Sequence, residues 1–173
     1  MSEAVGKTVP DSPGPAFKDA MRRLAATVTI VTTAAENGDS YGMTMTAVTS
    51  LSMEPPSLVV CVNRGASMHE VLVGTRDAEF CVNLLRCGHE PAANAFAGAA
   101  EREKRFGTGD WQYNENGTPY LADAQSNLFC TVNAALTYAS HSIFVGTVTR
   151  VLLDGDVSPL LYADGRYAKL SCE

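Results

Sequence analysis

Between Gly42 and His69 the chain reads GMTMTAVTSLSMEPPSLVVCVNRGASMH and carries seven hydroxyl side chains. Thr44, Thr46, Thr49, Ser50 and Ser52 follow one another closely. A buried hydroxyl without a partner costs about 1–3 kcal/mol, so this many in one segment face either solvent or a polar ligand. A solvated edge strand with its threonines outward is the plainer account. The second half sharpens the other one. Asn63, Arg64, Gly65, Ala66, Ser67 and Met68 combine a guanidinium, a glycine and a helix start at Ser67, with Glu70 three residues on in a capping-box pattern. The N–H groups of a helix N-terminus favour an anion. Both halves flank one apolar strand, SLVVCVN, so both can face one phosphorylated ligand.

Other chemistry-bearing residues are sparse. His141 opens the apolar run HSIFVG, and Asp164-Gly165-Arg166-Tyr167 reads as a turn between two strands. His69 and His89 have no special context, and Trp111 is expected to pack rather than react. Five cysteines, Cys61, Cys81, Cys87, Cys130 and Cys172, include no C-x-x-C pair. Cys61 and Cys81 lie inside apolar runs and read as small core residues, so neither a disulfide nor a metal site is expected.

The elements that must position these residues follow from periodicity. AFKDAMRRLAA places Phe17, Met21 and Leu24 at helical spacing. TVTIVTTAA is β-branched, ENGDS is a turn, and SYGMTMT pairs back as a hairpin. The prolines of EPP break the chain before SLVVCVN. SMHEVLVGT predicts a helix, EFCVNLL a strand, and EPAANAFAGAAEREKRF a partly helical stretch. GTGDWQYNENGTPYLADA reads as a long loop, and three further strand regions follow to Leu170. About seven strands with local connections and two or three short helices do not alternate as a doubly wound parallel sheet does. The expectation is a mainly β, antiparallel barrel with peripheral helices. Residues 1–15 are polar and rich in Gly, Pro and Ser, a disordered tail, and 16–173 make one domain.

Composition excludes some functions. The net charge is −6 and the pI about 5.0, which gives no electrostatic gain on a phosphate backbone, so nucleic acid is not an expected partner. The N-terminus has no apolar core of a secretory signal, and no run is long enough to span a bilayer. A cytoplasmic protein without a membrane partner is expected.

GMTMTAVTSLSMEPPSLVVCVNRGASMHEVL resembles the signature of the short-chain flavin reductase family, the reductase components of two-component flavin-dependent monooxygenases such as those for 4-hydroxyphenylacetate and chlorophenols. The likeness runs from about Phe17 to Lys169 and includes FCVNLL, FAG (Phe96–Gly98), KRF (Lys104–Phe106), SHSIFVGTV (Ser140–Val148) and PLLYADGRYA (Pro159–Ala168). It implies a Greek-key split β-barrel, a homodimer with flavin near the subunit interface, and reduction of FMN or FAD by NADH, with NADPH the lesser choice. Reduced flavin would diffuse to a partner monooxygenase. By resemblance, Thr46, Ala47, Val48, Thr49 and Ser50 bind flavin, Asn63, Arg64, Gly65, Ala66, Ser67 and Met68 surround its phosphate, and Phe96 and Arg105 add contacts. His141 falls at the nicotinamide site, although many relatives carry Asp where this chain has Ser140. Asp164, Gly165, Arg166 and Tyr167 fall at the dinucleotide site.

The implied chemistry belongs to the cofactors, so binding residues rather than a catalytic triad are expected. No G-x-G-x-x-G is present, so the dinucleotide is not held in a Rossmann crevice. Two other classes stay open: an oxidase of the pyridoxamine-phosphate type on a related barrel, and a flavin- or haem-binding module without turnover.

Overall fold

A computed structural model describes residues 13–75 and 77–170. Of the expected tail, residues 1–12 lie outside this range, as does Cys172, while Pro13–Pro15 open the first helix, α1 (Pro13–Met21). Proline suits a first helical turn, where its missing N–H has no partner to lose.

The strands are β1 (Ala26–Thr27), β2 (Thr29–Ala34), β3 (Ser40–Met45), β4 (Val48–Met53), β5 (Pro56–Asn63), β6 (Glu79–Leu84), β7 (Trp111–Tyr113), β8 (Pro119–Leu121), β9 (Ser126–Tyr138), β10 (His141–Leu153), β11 (Leu160–Ala163) and β12 (Arg166–Lys169). Helix α2 (Ser67–Gly74) follows β5. Then α3 (Glu90–Asn94), a π-turn (Ala95–Ala99) and α4 (Arg102–Arg105) follow β6. The stretch read as a long loop holds the small β7–β8 hairpin, whose short strands give too little alternation to be seen in sequence.

Seven strands form one antiparallel sheet in the order β3-β2-β6-β9-β10-β5-β4, and β1, β11 and β12 form a second. The fold is therefore mainly β and antiparallel, with short helices at its periphery. The two edges of the large sheet, β3 and β4, are consecutive in the chain and joined only by Thr46–Ala47. The sheet must curl until its edges meet at that link, yet no ladder runs between them: the barrel is split there. No helix among the described residues is long and apolar enough to cross a membrane.

Strand β2 separates two cores. Val31 packs with Leu58, Val60, Met68, Phe80 and Phe144, while Ile30 faces Leu85, Phe96, Leu121 and Leu160 on the other side. That is the two-residue alternation of a strand buried on both faces. Full burial of each large apolar side chain contributes about 1.5–3 kcal/mol. Gly146 lets β10 cross Phe80, since a Cβ there would come 2.5 Å from the ring. Among the described residues the buried side-chain nitrogens and oxygens have partners, Arg86 Nε excepted. Asn83 donates to the Ile30 carbonyl (2.8 Å), and its Oδ1 accepts from Leu121 N–H (2.8 Å) and Asn127 Nδ2 (2.9 Å).

Phe17, Met21 and Leu24, placed at helical spacing in the sequence, do not enter either core. They are 66%, 47% and 61% exposed, and α1 buries no residue. The helix docks on the β11–β12 turn through polar contacts rather than on either core.

Candidate functional site

The turn after β5 is built by Asn63, not by Ser67. The Asn63 Oδ1 accepts the Gly65 N–H (2.8 Å) and its carbonyl accepts the Ala66 N–H (3.0 Å). Helix α2 therefore starts one residue earlier than the capping-box pattern predicts. Ala66 is the N-cap and Ser67 the first helical residue, with no side-chain cap. His69 N–H reaches the Ala66 carbonyl (2.9 Å), which leaves the N–H groups of Ser67 and Met68 as those that a first turn cannot satisfy internally.

These N–H groups border a cleft of about 360 Å³ shared by Gly42, Gly65–Met68, Phe96 and Arg105. Arg105 is oriented by two carbonyls, Nη1 donating to Gly42 (3.2 Å) and Nε to Ala100 (3.3 Å), so part of its fork remains for a ligand. Phe96 is only 2% exposed and packs on Phe106 and Trp111 at ring distances of 4.9 and 5.0 Å. It floors the cleft. Gly42 is needed there because a Cβ would lie 2.8 Å from the Phe96 ring. Arg64 is turned away, its guanidinium donating to the Ala139 carbonyl (3.3 Å).

The hydroxyl-rich segment divides in two. Thr44 donates to the Ala93 carbonyl (2.6 Å) and Ser52 to that of Glu54 (3.1 Å), so these two are satisfied within the fold. Thr46, Ala47, Thr49 and Ser50 are exposed along the split. Thr46, Val48, Thr49 and Ser50 line an apolar-walled cavity of about 500 Å³ with Leu58, Leu84, Leu128 and Val148.

Asp164 and Gly165 take φ of 50° and 77° between paired Ala163 and Arg166, a two-residue hairpin turn for which Asp-Gly is suited. Asp164 meets Arg22 Nε at 3.4 Å and Arg166 Nη2 at 3.9 Å. The Tyr167 hydroxyl donates to Asn94 Oδ1 (2.8 Å), and burial first, then Tyr162 and Glu90, push its phenol above the usual value. A groove of about 370 Å³ brings Thr46 together with Gly165, Arg166, Tyr167, Asn94 and Ala97. Ala97 also borders the Arg105 cleft, which makes the two neighbours.

His141 lies elsewhere in the chain. It pairs with Asn63 across β5–β10, is exposed, and shares a 2.9 Å hydrogen bond between Nδ1 and Ser140 Oγ. The cavities that hold the Asp164–Tyr167 turn do not include it. Beside it, His69 Nε2 meets the buried Ser142 Oγ at 2.8 Å, and Ser142 meets Thr137 at 3.0 Å. Sequence reasoning missed this chain because its members belong to three elements. It also missed Asn94 and Gly42; a glycine inside a strand, as in SYGM, is the signal for a close approach. Cys81 and Cys130 are buried and Cys61 half-buried. Burial, then Glu79, pushes the Cys130 thiol up to about 12.

A model of the flavin reductase like domain matches residues 21–171. The chain is 42% identical over 164 residues to the reductase component of the FADH(2)-dependent resorcinol hydroxylase of Rhizobium sp. (strain MTP-10005), covering 94% of this chain and 90% of that protein. It is 37% identical over 170 residues to an FMN reductase (NADH) RutF 1 of Methylorubrum extorquens, covering 98% and 83%. The NADH:FAD oxidoreductase SgcE6 of Streptomyces globisporus C-1027, solved in complex with NAD and FAD fragments, superposes with a TM-score of 0.85 at 28% identity, over 95% of this chain and 98% of that one.

Proposed function

The chain belongs to the flavin reductase like domain family, and from that premise we propose how its residues seat a flavin and a nicotinamide dinucleotide. The protein is an NADH-dependent flavin reductase that reduces FMN or FAD and supplies reduced flavin to a partner flavin-dependent monooxygenase. When bound, the flavin supplies a ring that accepts hydride from nicotinamide C4 at its N5.

The residues present fit such a ligand. The Ser67 and Met68 N–H groups and the oriented Arg105 fork form a donor set for a phosphate, and Gly65 keeps the backbone open beside them. Thr46–Ser50 run from the β3–β4 link onto the unpaired edge of β4, where N–H groups can donate to an electron-rich ring. Asn63, Arg64 and Ala66 shape the turn that presents the helix start. Arg166 and Tyr167, with Asp164 and Gly165, hold the dinucleotide so that the nicotinamide reaches the ring at Thr46. The observation that carries this reading is the groove joining Thr46 to Gly165, Arg166 and Tyr167.

His141 is assigned to the nicotinamide across a subunit contact. The β9–β10 arm beside it carries Leu136 and Tyr138 at 65% and 81% exposure, and Leu153 and Val157 are also bare. An apolar surface of this kind supports a homodimer. Residues 16–173 act as one domain, and a cytoplasmic location follows from the supply of NADH. NADH consumption measured with and without added free FMN or FAD tests the reading. Turnover that needs an amine instead, or none at all, overturns it.

A further inference from the structure

Helix α2 starts without a side-chain cap, yet its first turn must be held still if the Ser67 and Met68 N–H groups are to meet an anion. A hydrogen bond weakens steeply once donor and acceptor lose their alignment. What holds the turn lies one residue further on. The His69 N–H closes it on the Ala66 carbonyl (2.9 Å), and the His69 side chain reaches across to β10. There Nε2 lies 2.8 Å from Ser142 Oγ, and the ring meets Phe144 edge-on at a centroid distance of 5.6 Å.

The β10 end of this contact is firm. Ser142 and Phe144 are buried, on a strand paired with β5 on one side and β9 on the other. Ser142 Oγ also lies 3.0 Å from the Thr137 hydroxyl of β9, so it is fixed from two directions. Met68 and Leu72 pack in the same core as Phe144. Apolar contacts of that kind are non-directional and leave a short helix free to rotate, whereas a hydrogen bond in its first turn sets the rotation. Ser142 alternates with His141 along β10, so the two side chains take opposite faces, one buried and one exposed. The His69 contact is therefore separate from the residue assigned to the nicotinamide.

We propose that His69 is a positioning residue for the flavin: held on Ser142, it fixes the first turn of α2 so that the Ser67 and Met68 N–H groups face the phosphate. The proposal rests on the reading of that helix start as the phosphate seat.

Riboflavin, which has the ring and ribityl chain of FMN but no phosphate, is the probe. Dissociation constants for FMN and riboflavin are measured by fluorescence titration in the full chain and in His69→Ala, His69→Gln, Ser142→Ala and Arg105→Ala, with melting temperatures alongside. His69→Ala and Ser142→Ala should each weaken FMN about fivefold or more and leave riboflavin within about twofold. His69→Gln carries a polar atom at the reach of Nε2 and should recover most of the FMN affinity. Parallel losses for FMN and riboflavin with a lower melting temperature would make His69 a stabilising residue only and overturn the proposal. So would a full FMN preference in His69→Ala beside its loss in Arg105→Ala, a result that leaves the phosphate seat standing. If the unmodified chain binds FMN no more tightly than riboflavin, the reading of the helix start fails and the proposal falls with it.

Discussion

The Tyr167 hydroxyl donates to Asn94 Oδ1 at 2.8 Å, across the groove that separates the β11–β12 hairpin from the helix leading to Phe96. This one bond ties the turn assigned to the dinucleotide to the segment that floors the flavin cleft. Tyr167→Phe keeps the ring and removes the bond, a loss of about 0.5–1.5 kcal/mol. The NADH KM should rise about two- to tenfold, while flavin affinity holds. Steady-state kinetics at several NADH concentrations will show it.

Arg105→Ala should weaken flavin binding by about 1–3 kcal/mol, as expected for a charge-assisted hydrogen bond. Arg64→Ala should matter less, because its guanidinium is spent on the Ala139 carbonyl. Fluorescence titration of FMN and FAD ranks the two. An equal loss, or a larger one at Arg64, would remove Arg105 from the phosphate end.

His141→Ala should lower kcat/KM for NADH about tenfold, or about 1.4 kcal/mol, with flavin affinity within about twofold. The imidazole is exposed and bonded to Ser140, so the melting temperature should not move. Stopped-flow reduction of bound flavin separates this from a structural role, in which melting and both affinities would decline together.

Gly42→Ala places a methyl group 2.8 Å from the Phe96 ring and 3.0 Å from Thr32 Cγ2. Overpacking of this kind costs about 1–3 kcal/mol. Phe96 must shift, so chemical denaturation and flavin titration should both register the change.

Cys130 keeps its proton to about 12, against an ordinary thiol value of 9.0. The native thiol should therefore resist alkylation at mildly alkaline pH and react only on unfolding. Because the folded state holds this proton more tightly than the unfolded chain, stability falls as pH rises from 9 toward 12. Denaturant melts across that window check the sign.

The strands and the family signature were legible because β-branched alternation and contiguous motifs are local properties. FCVNLL, for example, became the strand that buries Phe80, Cys81 and Asn83. What spacing could not show was the partner of each side chain. Ser67 and Glu70 have the pattern of a capping box, yet the Asx turn at Asn63 moves the helix start and takes over the turn. Phe17, Met21 and Leu24 have helical spacing, yet the helix ends at Met21 and all three are exposed beside the polar contacts of Arg22. His69, Ser142 and Thr137 meet only because α2, β9 and β10 converge. Periodicity reports which face a residue occupies, and the fold decides what that face meets.

The split between β3 and β4 has a use beyond shaping the site. Each of these strands is paired on one side only, so the backbone amides facing the opening have no ladder partner and exchange readily with solvent. On the seating given above, a bound ligand would protect those of 44–50. Deuterium uptake over that peptide therefore reads occupancy directly, in the dark and without turnover, and it would report release of the product as a return of fast exchange. A closed barrel would offer no such gauge, because its amides would be slow whether the site was full or empty.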